Sequence, residues 1–410
     1  METARIVLKE GRERSLFYRH PWIFSGAIDT GKSELKVEDG ALAGIYDHGG
    51  NFLARGYYNS KTNIAARVLS FEDVEIDAVF FERRFRQALE LRRPYFENDE
   101  TNAYRLVFAE GDMLPGLVVD KYCDRLVVQV HTAGMEKLMP IAVEAMVKVF
   151  APELVYEKSN IPSRREEGLN PENIKVWHGI FGDDAGVVRI LENGIEFDVD
   201  IVEGQKTGFF LDQRENRLES MPYFKGKKVL NLFCYTGGFS CYAAKAGAES
   251  ITGVDASKEA IALCKKNVEL NGYDAGHELK GAGRHEAVVA DAFEYLEAAI
   301  ARGVKYDVVV VDPPAFVKSK KDLDGALKAY ARVNEFALKV LAEGGVLMTS
   351  SCSGHVTQDS FKQSIFQAAL RSGDDLVVLK TLGQPVDHPN RIYFPEGSYL
   401  KFLILKKRVK

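Results

Sequence analysis

Nowhere in the 410 residues does an uninterrupted apolar run approach the roughly 20 positions that a membrane helix requires. The opening stretch, Met1 to Arg14, carries charges throughout and lacks an apolar segment of signal-peptide length, so a cytoplasmic address and no membrane partner are expected. The five cysteines, Cys123, Cys234, Cys241, Cys264 and Cys352, form an odd set with no CxxC spacing. That excludes a disulfide framework and a structural zinc site and leaves free thiols. Basic excess is also missing. At a formal charge of -5 the chain has no general attraction for nucleic acid, and any such role must rest on local patches. Three occur: Arg83, Arg84 and Arg86; Lys318, Lys320 and Lys321; and the tail from Lys406 to Lys410. On charge alone each reads as a solvated face or frayed end. Internal repeats and low-complexity segments are absent too.

What is present is ordinary for a folded chain. Hydrophobic residues make up 46%, enough for a sizeable core, and the length implies two or three domains. Residues 1–72 read as short alternating strands, such as Leu42 to Tyr46, Phe52 to Tyr57 and Ala65 to Leu69, parted by Gly, Asn and Asp turns. Residues 73–185 read as an α+β middle domain. Its first helix runs from Ala78 to Leu91 and is ended by Pro94, and a second spans Met135 to Phe150. Ser159 to Asn173, polar and broken by Pro162 and Pro171, reads as a loop or mobile arm. A strand pair around Asn193-Gly194 opens the third region, 186–410. After Lys227, apolar strands alternate with amphipathic helices, the order of a doubly wound parallel α/β sheet.

In such sheets ligands bind beyond the carboxyl ends of the strands, where strand order reverses. The sequence places distinctive residues at four such ends. Phe233-Cys234-Tyr235-Thr236-Gly237-Gly238 joins the first strand to a helix, and its glycines permit a tight turn and close backbone approach to a ligand. Asp255, followed by Ala256, ends the second strand where a carboxylate can accept from both hydroxyls of a ribose. Asp291, followed by Ala292 and Phe293, ends the third, suited to an adenine amino group with an aromatic over the ring. Asp312-Pro313-Pro314 ends the fourth. The turn alone also fits an ordinary strand-to-helix connection. Because it is not G-x-G-x-x-G, the set as a whole suits a nucleoside ligand without a pyrophosphate.

These positions resemble the class I S-adenosylmethionine methyltransferases, with their first motif, acidic second strand and D-P-P segment. Three runs, Gly204-Gln205-Lys206-Thr207-Gly208-Phe209-Phe210-Leu211-Asp212-Gln213-Arg214, Asp312-Pro313-Pro314-Ala315-Phe316 and Ser351-Cys352-Ser353-Gly354, look like those of the RlmI-type large-subunit ribosomal RNA cytosine-5 methyltransferases. The resemblance spans nearly the whole chain. It implies a Rossmann-like methyltransferase sheet preceded by a PUA-like RNA-binding domain, carried by His20-Pro21-Trp22-Ile23-Phe24 and Gly56-Tyr57-Tyr58-Asn59, and by the middle domain. It further implies S-adenosyl-L-methionine as cofactor, 23S ribosomal RNA as partner, and a segment containing Lys206, Thr207, Gln213 and Arg214 folded over the cofactor. Phe209 and Phe210 would form an apolar lid and Arg214 would meet the methionine carboxylate. A plain connecting loop fits the same residues, and a homodimer is left open.

Carbon 5 of a pyrimidine is a poor nucleophile, and methylating it calls for covalent attack at carbon 6, for which a thiolate is suited. Cys352, just past the apolar strand Gly345 to Ser350, reads either as a packing residue or, with the resemblance, as that nucleophile. Cys234, Cys241 and Cys264 read as packing residues. Asp312 could donate to N3 when protonated or, the reading preferred here, hold the N4 amino group and a protonated N3 as a carboxylate. A second cysteine found after this aspartate in many related enzymes is replaced by Ala315, leaving the base for the carbon-5 proton unassigned. Lys318 and Lys320 could meet the RNA backbone, and His388, in a loop, the substrate. Two competing readings remain: methylation of a base nitrogen, which needs no cysteine, and a non-catalytic RNA-binding assembly protein.

Overall fold

The alternating segments near the amino terminus close into a five-stranded sheet of β1 (Thr3–Val7), β2 (Trp22–Phe24), β3 (Leu42–Tyr46), β4 (Phe52–Tyr58) and β5 (Ile64–Ser70), with one turn of helix, α1 (Arg14–Phe17), after β1. Their order is β1-β3-β4-β5-β2. The computed structural model describes residues 3–182, 186–272, 284–316 and 322–409. Helix α2 (Ala78–Phe96) leads to a second sheet of β6 (Ala103–Phe108), β7 (Leu117–Tyr122), β8 (Arg125–Val130), β9 (Leu154–Asn160) and β10 (Glu172–His178), with α3 (Ala133–Phe150) between β8 and β9. The core under α2 and α3 takes Tyr57 and Leu69 from the first sheet as well as Phe81, Phe85, Val119 and Met135. Both sheets belong to one compact unit, made of Met1–Ile190, Val199–Leu211 and Val386–Gly397.

Two expectations fail in this unit. Helix α2 runs through Pro94 to Phe96. A proline in the last turn forfeits only the hydrogen bond to the carbonyl of Glu90, and the turn is held by the wholly buried Arg92, whose guanidinium donates to Ala88 and to both oxygens of Asp112 at 2.8–3.0 Å. The supposed mobile arm is anchored. It forms a 3-10 turn, Pro162–Arg165, and then strand β10. Arg164, with no exposed surface, donates to Asn170 at 2.7 Å and Glu136 at 2.9 Å, while Glu167 pairs with Arg67 at 2.8 Å. Two of its charges, Arg164 and Glu167, are internal ties, while Arg165, Glu166 and Glu172 are exposed.

β11 (Val187–Glu192) and β12 (Ile195–Asp200) form a hairpin on Asn193-Gly194, both at positive φ (51° and 70°) as a type I′ turn demands. The second unit comprises Leu191–Asp198, Asp212–Pro385 and Ser398–Lys410. Its strands are β13 (Lys228–Leu232), β14 (Ser250–Asp255), β15 (Arg284–Val289), β16 (Tyr306–Val311), β17 (Leu341–Ser351), β18 (Leu376–Leu382) and β19 (Lys401–Lys407). Its helices are α4 (Arg214–Ser220), α5 (Gly238–Lys245), α6 (Lys258–Leu270), α7 (Ala292–Ala301), α8 (Leu323–Val340) and α9 (Gln358–Ser372). Strand order is β15-β14-β13-β16-β17-β19-β18, parallel except where β19 runs against both its neighbours. Helices α4, α5 and α6 pack together, as do α7, α8 and α9, giving the doubly wound arrangement. The order reverses between β13 and β16, so the crevice for a ligand opens beyond Leu232 and Val311.

Candidate active site

The turn after β13 is built from unusual backbone. Phe233, Tyr235 and Gly237 all have positive φ (58°, 47° and 87°), which for two non-glycine aromatics is the kind of strain that collects at ligand sites. A Cβ at Gly237 would lie 2.7 Å from Cys264 Sγ, so only glycine lets the turn close onto α6. Thr236 is buried, its carbonyl accepts from Asn267 Nδ2 at 2.9 Å, and its hydroxyl has no partner among the described residues. Asp255 Oδ2 accepts from the Tyr235 amide and Oδ1 from the Ser257 amide, both at 2.9 Å, so the carboxylate is locked at the mouth of the turn. Beside it, Ala256 is exposed. This tight, partly orphaned cradle fits the nucleoside and methionine parts of S-adenosylmethionine.

Asp291 caps α7, accepting from the amides of Phe293 and Glu294 at 2.8 and 3.2 Å, with Ala292 buried behind it. The Phe293 ring packs on α8, edge-on to Phe336 and under Arg332.

Beyond β16 the carboxylate of Asp312 receives Gln213 Nε2 at 2.8 Å and the hydroxyl of Ser350. Gln213 is itself oriented by Asn216, whose amide donates to Oε1 at 2.7 Å. Two donors aimed at Asp312 suit its ionised, accepting form. Arg214, next in sequence, is buried, 3.7 Å from Glu215. Cys352 follows the last residue of β17 and is partly exposed.

Two residues that sequence reasoning missed adjoin it. Lys401 starts β19 directly opposite Ser351. Its buried ammonium donates to the carbonyls of Ser353 and Tyr399, and burial pushes its pKa down to about 8, a fall that the neighbouring Cys352 opposes. Tyr330 of α8 is buried; burial raises its phenol to about 12, with Cys352 and Asp312 adding to the rise and Ser351 opposing it. A lysine heading the apolar run Phe402 to Leu405 was the available signal for the first. Nothing in the helical pattern marks the second. A third feature underlies the turn: Glu192 and Arg217, both buried, pair through two bonds of 2.7 and 2.8 Å, and Tyr242 joins Glu192 at 3.0 Å.

The structure therefore gathers Gln213, Asp312 and Cys352 at one end of the sheet, and Tyr235, Thr236, Gly237 and Asp255 around the glycine turn. Lys206 and Thr207 lie in the first unit. There Thr207 is buried and donates to Asp120 at 2.7 Å, and the exposed Lys206 reaches over the Phe210 ring. His388 also belongs to the first unit, where it is buried beside Asp387 and Phe108. Cys241 and Cys264 are wholly buried and Cys234 nearly so, as packing thiols are. Lys318, Lys320 and Lys321 lie outside the described residues.

Residues 167–393 match the S-adenosylmethionine-dependent methyltransferase family, and residues 6–71 match a PUA-like domain. The chain is 42% identical over 399 residues to the ribosomal RNA large subunit methyltransferase I of Vibrio cholerae, covering 97% of this chain and 98% of that protein. It is 41% identical over 404 residues to the protein of the same name from Aeromonas salmonicida, covering 98% and 99%. Among solved structures, a Streptococcus mutans protein described as a SAM-dependent methyltransferase superposes with a TM-score of 0.82 at 26% identity, covering 98% of this chain and 99% of that one. A methyltransferase complexed with SAH gives 0.83 at 26% identity, covering 99% and 100%. The cofactor is S-adenosylmethionine, no described helix is long and apolar enough to cross a membrane, and the chain belongs to the S-adenosylmethionine-dependent methyltransferases of the ribosomal RNA large subunit methyltransferase I family.

Proposed function

We propose that the protein methylates carbon 5 of a cytosine in 23S ribosomal RNA through a covalent adduct on Cys352. The supporting observation is the placement of a partly exposed cysteine at the end of β17, beside a buried ammonium and one strand from a clamped carboxylate. Lys401 lowers the cost of the thiolate, which adds to carbon 6 of the base. Asp312, held as a carboxylate by Gln213 and Ser350, accepts from the N4 amino group and from N3–H once N3 has taken a proton from water, so the electron pair is delivered at carbon 5. Bound S-adenosylmethionine supplies an electrophilic methyl group on its sulfonium. Loss of the carbon-5 proton to a base then lets the Cys352 sulfur leave carbon 6 as a thiolate, and release of the N3 proton to water restores the ring.

Asp255 would bind the ribose hydroxyls, Asp291 with Ala292 the adenine edge, and Phe233, Tyr235, Thr236, Gly237 and Ala256 the walls of that pocket. Arg214 would meet the methionine carboxylate, with Lys206 and Thr207 on the approach to it. Residues 1–72 and 73–185 would grip the RNA while 186–410 carry out transfer in the cytoplasm. The target base must leave its stack, which costs a few kcal/mol and is cheapest in unpaired RNA.

The test is transfer of labelled methyl from S-adenosylmethionine to 23S ribosomal RNA by wild type and Cys352→Ala, with the product nucleoside identified by mass spectrometry. The expected result is 5-methylcytidine from the wild type and none from the variant. Robust methylation by the variant would overturn the covalent route and favour a base nitrogen as the target.

A further inference from the structure

Four arginines converge on a cavity of about 220 Å³ in the first unit, and they come from three distant parts of the chain. Arg19 follows α1, Arg83 and Arg84 lie on α2, and Arg391 belongs to the returning segment Val386–Gly397. None of the four forms an ion pair among the described residues, and Glu72 is the sole carboxylate in the lining. Burial, followed by repulsion from Arg83 and Arg391, pushes Arg84 down to about 10. Burial and then Arg19 lower Arg391 as well. Arg84 is half-buried: it donates to the Leu69 carbonyl at 2.8 Å and to Gln87 at 3.3 Å, while its buried Nε has no partner among the described residues. Arg19 is held over the Phe71 ring on a left-handed backbone (φ 60°). Arg83 and Arg84, which sequence alone presents as part of a solvated basic face, are in Arg84's case turned inward to this cavity.

Bringing like charges together out of water is unfavourable unless something pairs with them. The guanidinium fork matches phosphate oxygens through paired hydrogen bonds, and a buried donor with no acceptor on the protein is one that a ligand can fill. Phe17 and Tyr18, which precede Arg19, and Tyr393, just past Arg391, are exposed aromatics of the kind on which unpaired bases stack. We propose that this cavity binds phosphate groups of the RNA backbone and so anchors the substrate at a site separate from the methyl-transfer residues. The assignment rests on the reading that the substrate is RNA, but not on which atom of the base is methylated.

The experiment is filter binding of 23S ribosomal RNA to the full chain across a range of KCl, comparing wild type with Arg84→Gln/Arg391→Gln and with the milder Arg19→Gln. At about 100 mM salt the double variant should bind about tenfold more weakly, with a log–log salt slope shallower by about 0.8 for each phosphate no longer neutralised. Its melting temperature should hold or rise, because mutual repulsion is relieved. If the double variant folds poorly, Arg19→Gln alone should still flatten the slope. Unchanged affinity and slope would overturn the cavity assignment while leaving the transfer chemistry untouched. Failure of the wild type to bind RNA would overturn both this assignment and the RNA substrate. Should inorganic phosphate raise the melting temperature of the wild type only, with RNA binding equal in all three proteins, the site serves a free anion and the backbone assignment fails.

Discussion

At the scale of single residues, Lys401 carries the sharpest consequence. Its ammonium is tied to the carbonyl of Ser353, the residue after the cysteine, and burial lowers it to about 8. Below that pH Lys401 is charged and favours the Cys352 thiolate, and the help fades as pH rises through about 8. In Lys401→Met, the pH midpoint for alkylation of Cys352 by iodoacetamide, followed on the Cys352 peptide by mass spectrometry, should move upward by about one unit. Lys401→Arg should recover part of the shift. A midpoint unmoved in a folded Lys401→Met protein would make the lysine merely structural. Sequence reasoning singled out Cys352 and Asp312 as candidates because each follows an apolar strand and lies in a run that carries the resemblance. It missed Lys401 because β19 is inserted antiparallel beside β17, and only that register sets residue 401 against residue 351. Tyr330 was hidden for a related reason: a tyrosine on the inner face of α8 looks like core until its hydroxyl is seen beside Ser351 and Cys352.

At the scale of elements, the sequence was most legible where one pattern decided the matter. The strands and helices expected to alternate after Lys227 do so, among them the parallel strand Tyr306–Val311 and the helix α7 that opens just after Asp291. The glycine turn was legible as a turn, but not its reason. Gly237 closes on Cys264 Sγ at a φ that side chains rarely adopt, and this packing depends on α6 lying across the loop. Gly237→Ala should therefore destabilise the protein by about 1–3 kcal/mol and weaken S-adenosylmethionine binding. Gly247→Ala, at a turn where a Cβ meets nothing within 4 Å, serves as the control and should cost less despite its positive φ. Chemical denaturation and calorimetric titration of the cofactor would check both; equal losses at the two positions would mean that backbone conformation, not the approach to Cys264, sets the requirement. The polar stretch around Arg164 misled for the opposite reason, since the buried Arg164 finds partners in Glu136 and the Val130 carbonyl that no local pattern discloses.

At the scale of the molecule, the chain is not folded as beads in sequence order, because Val386–Gly397 returns to the first unit after nearly all of the second has been made. Asp387 is the fastener. Its side chain accepts from the Arg105 amide at 2.8 Å and its carbonyl from the buried Arg92 at 2.9 Å, while Phe394 packs edge-on to Trp22 at 4.8 Å. Breaks of contiguous sequence cannot express such a return, and the aspartate looks like an ordinary loop residue until its partners, some 280 positions earlier, are known. Asp387→Ala leaves the part-buried Arg105 amide without its side-chain acceptor and should cost about 1–3 kcal/mol. Because the loss falls on one unit, hydrogen exchange should quicken at Arg105 and across β6 and β7, while β13 and β16 keep their protection. Equal quickening in both sets of strands would mean that the two units unfold as a single cooperative body, and an unchanged rate at Arg105 would show that Asp387 fastens nothing.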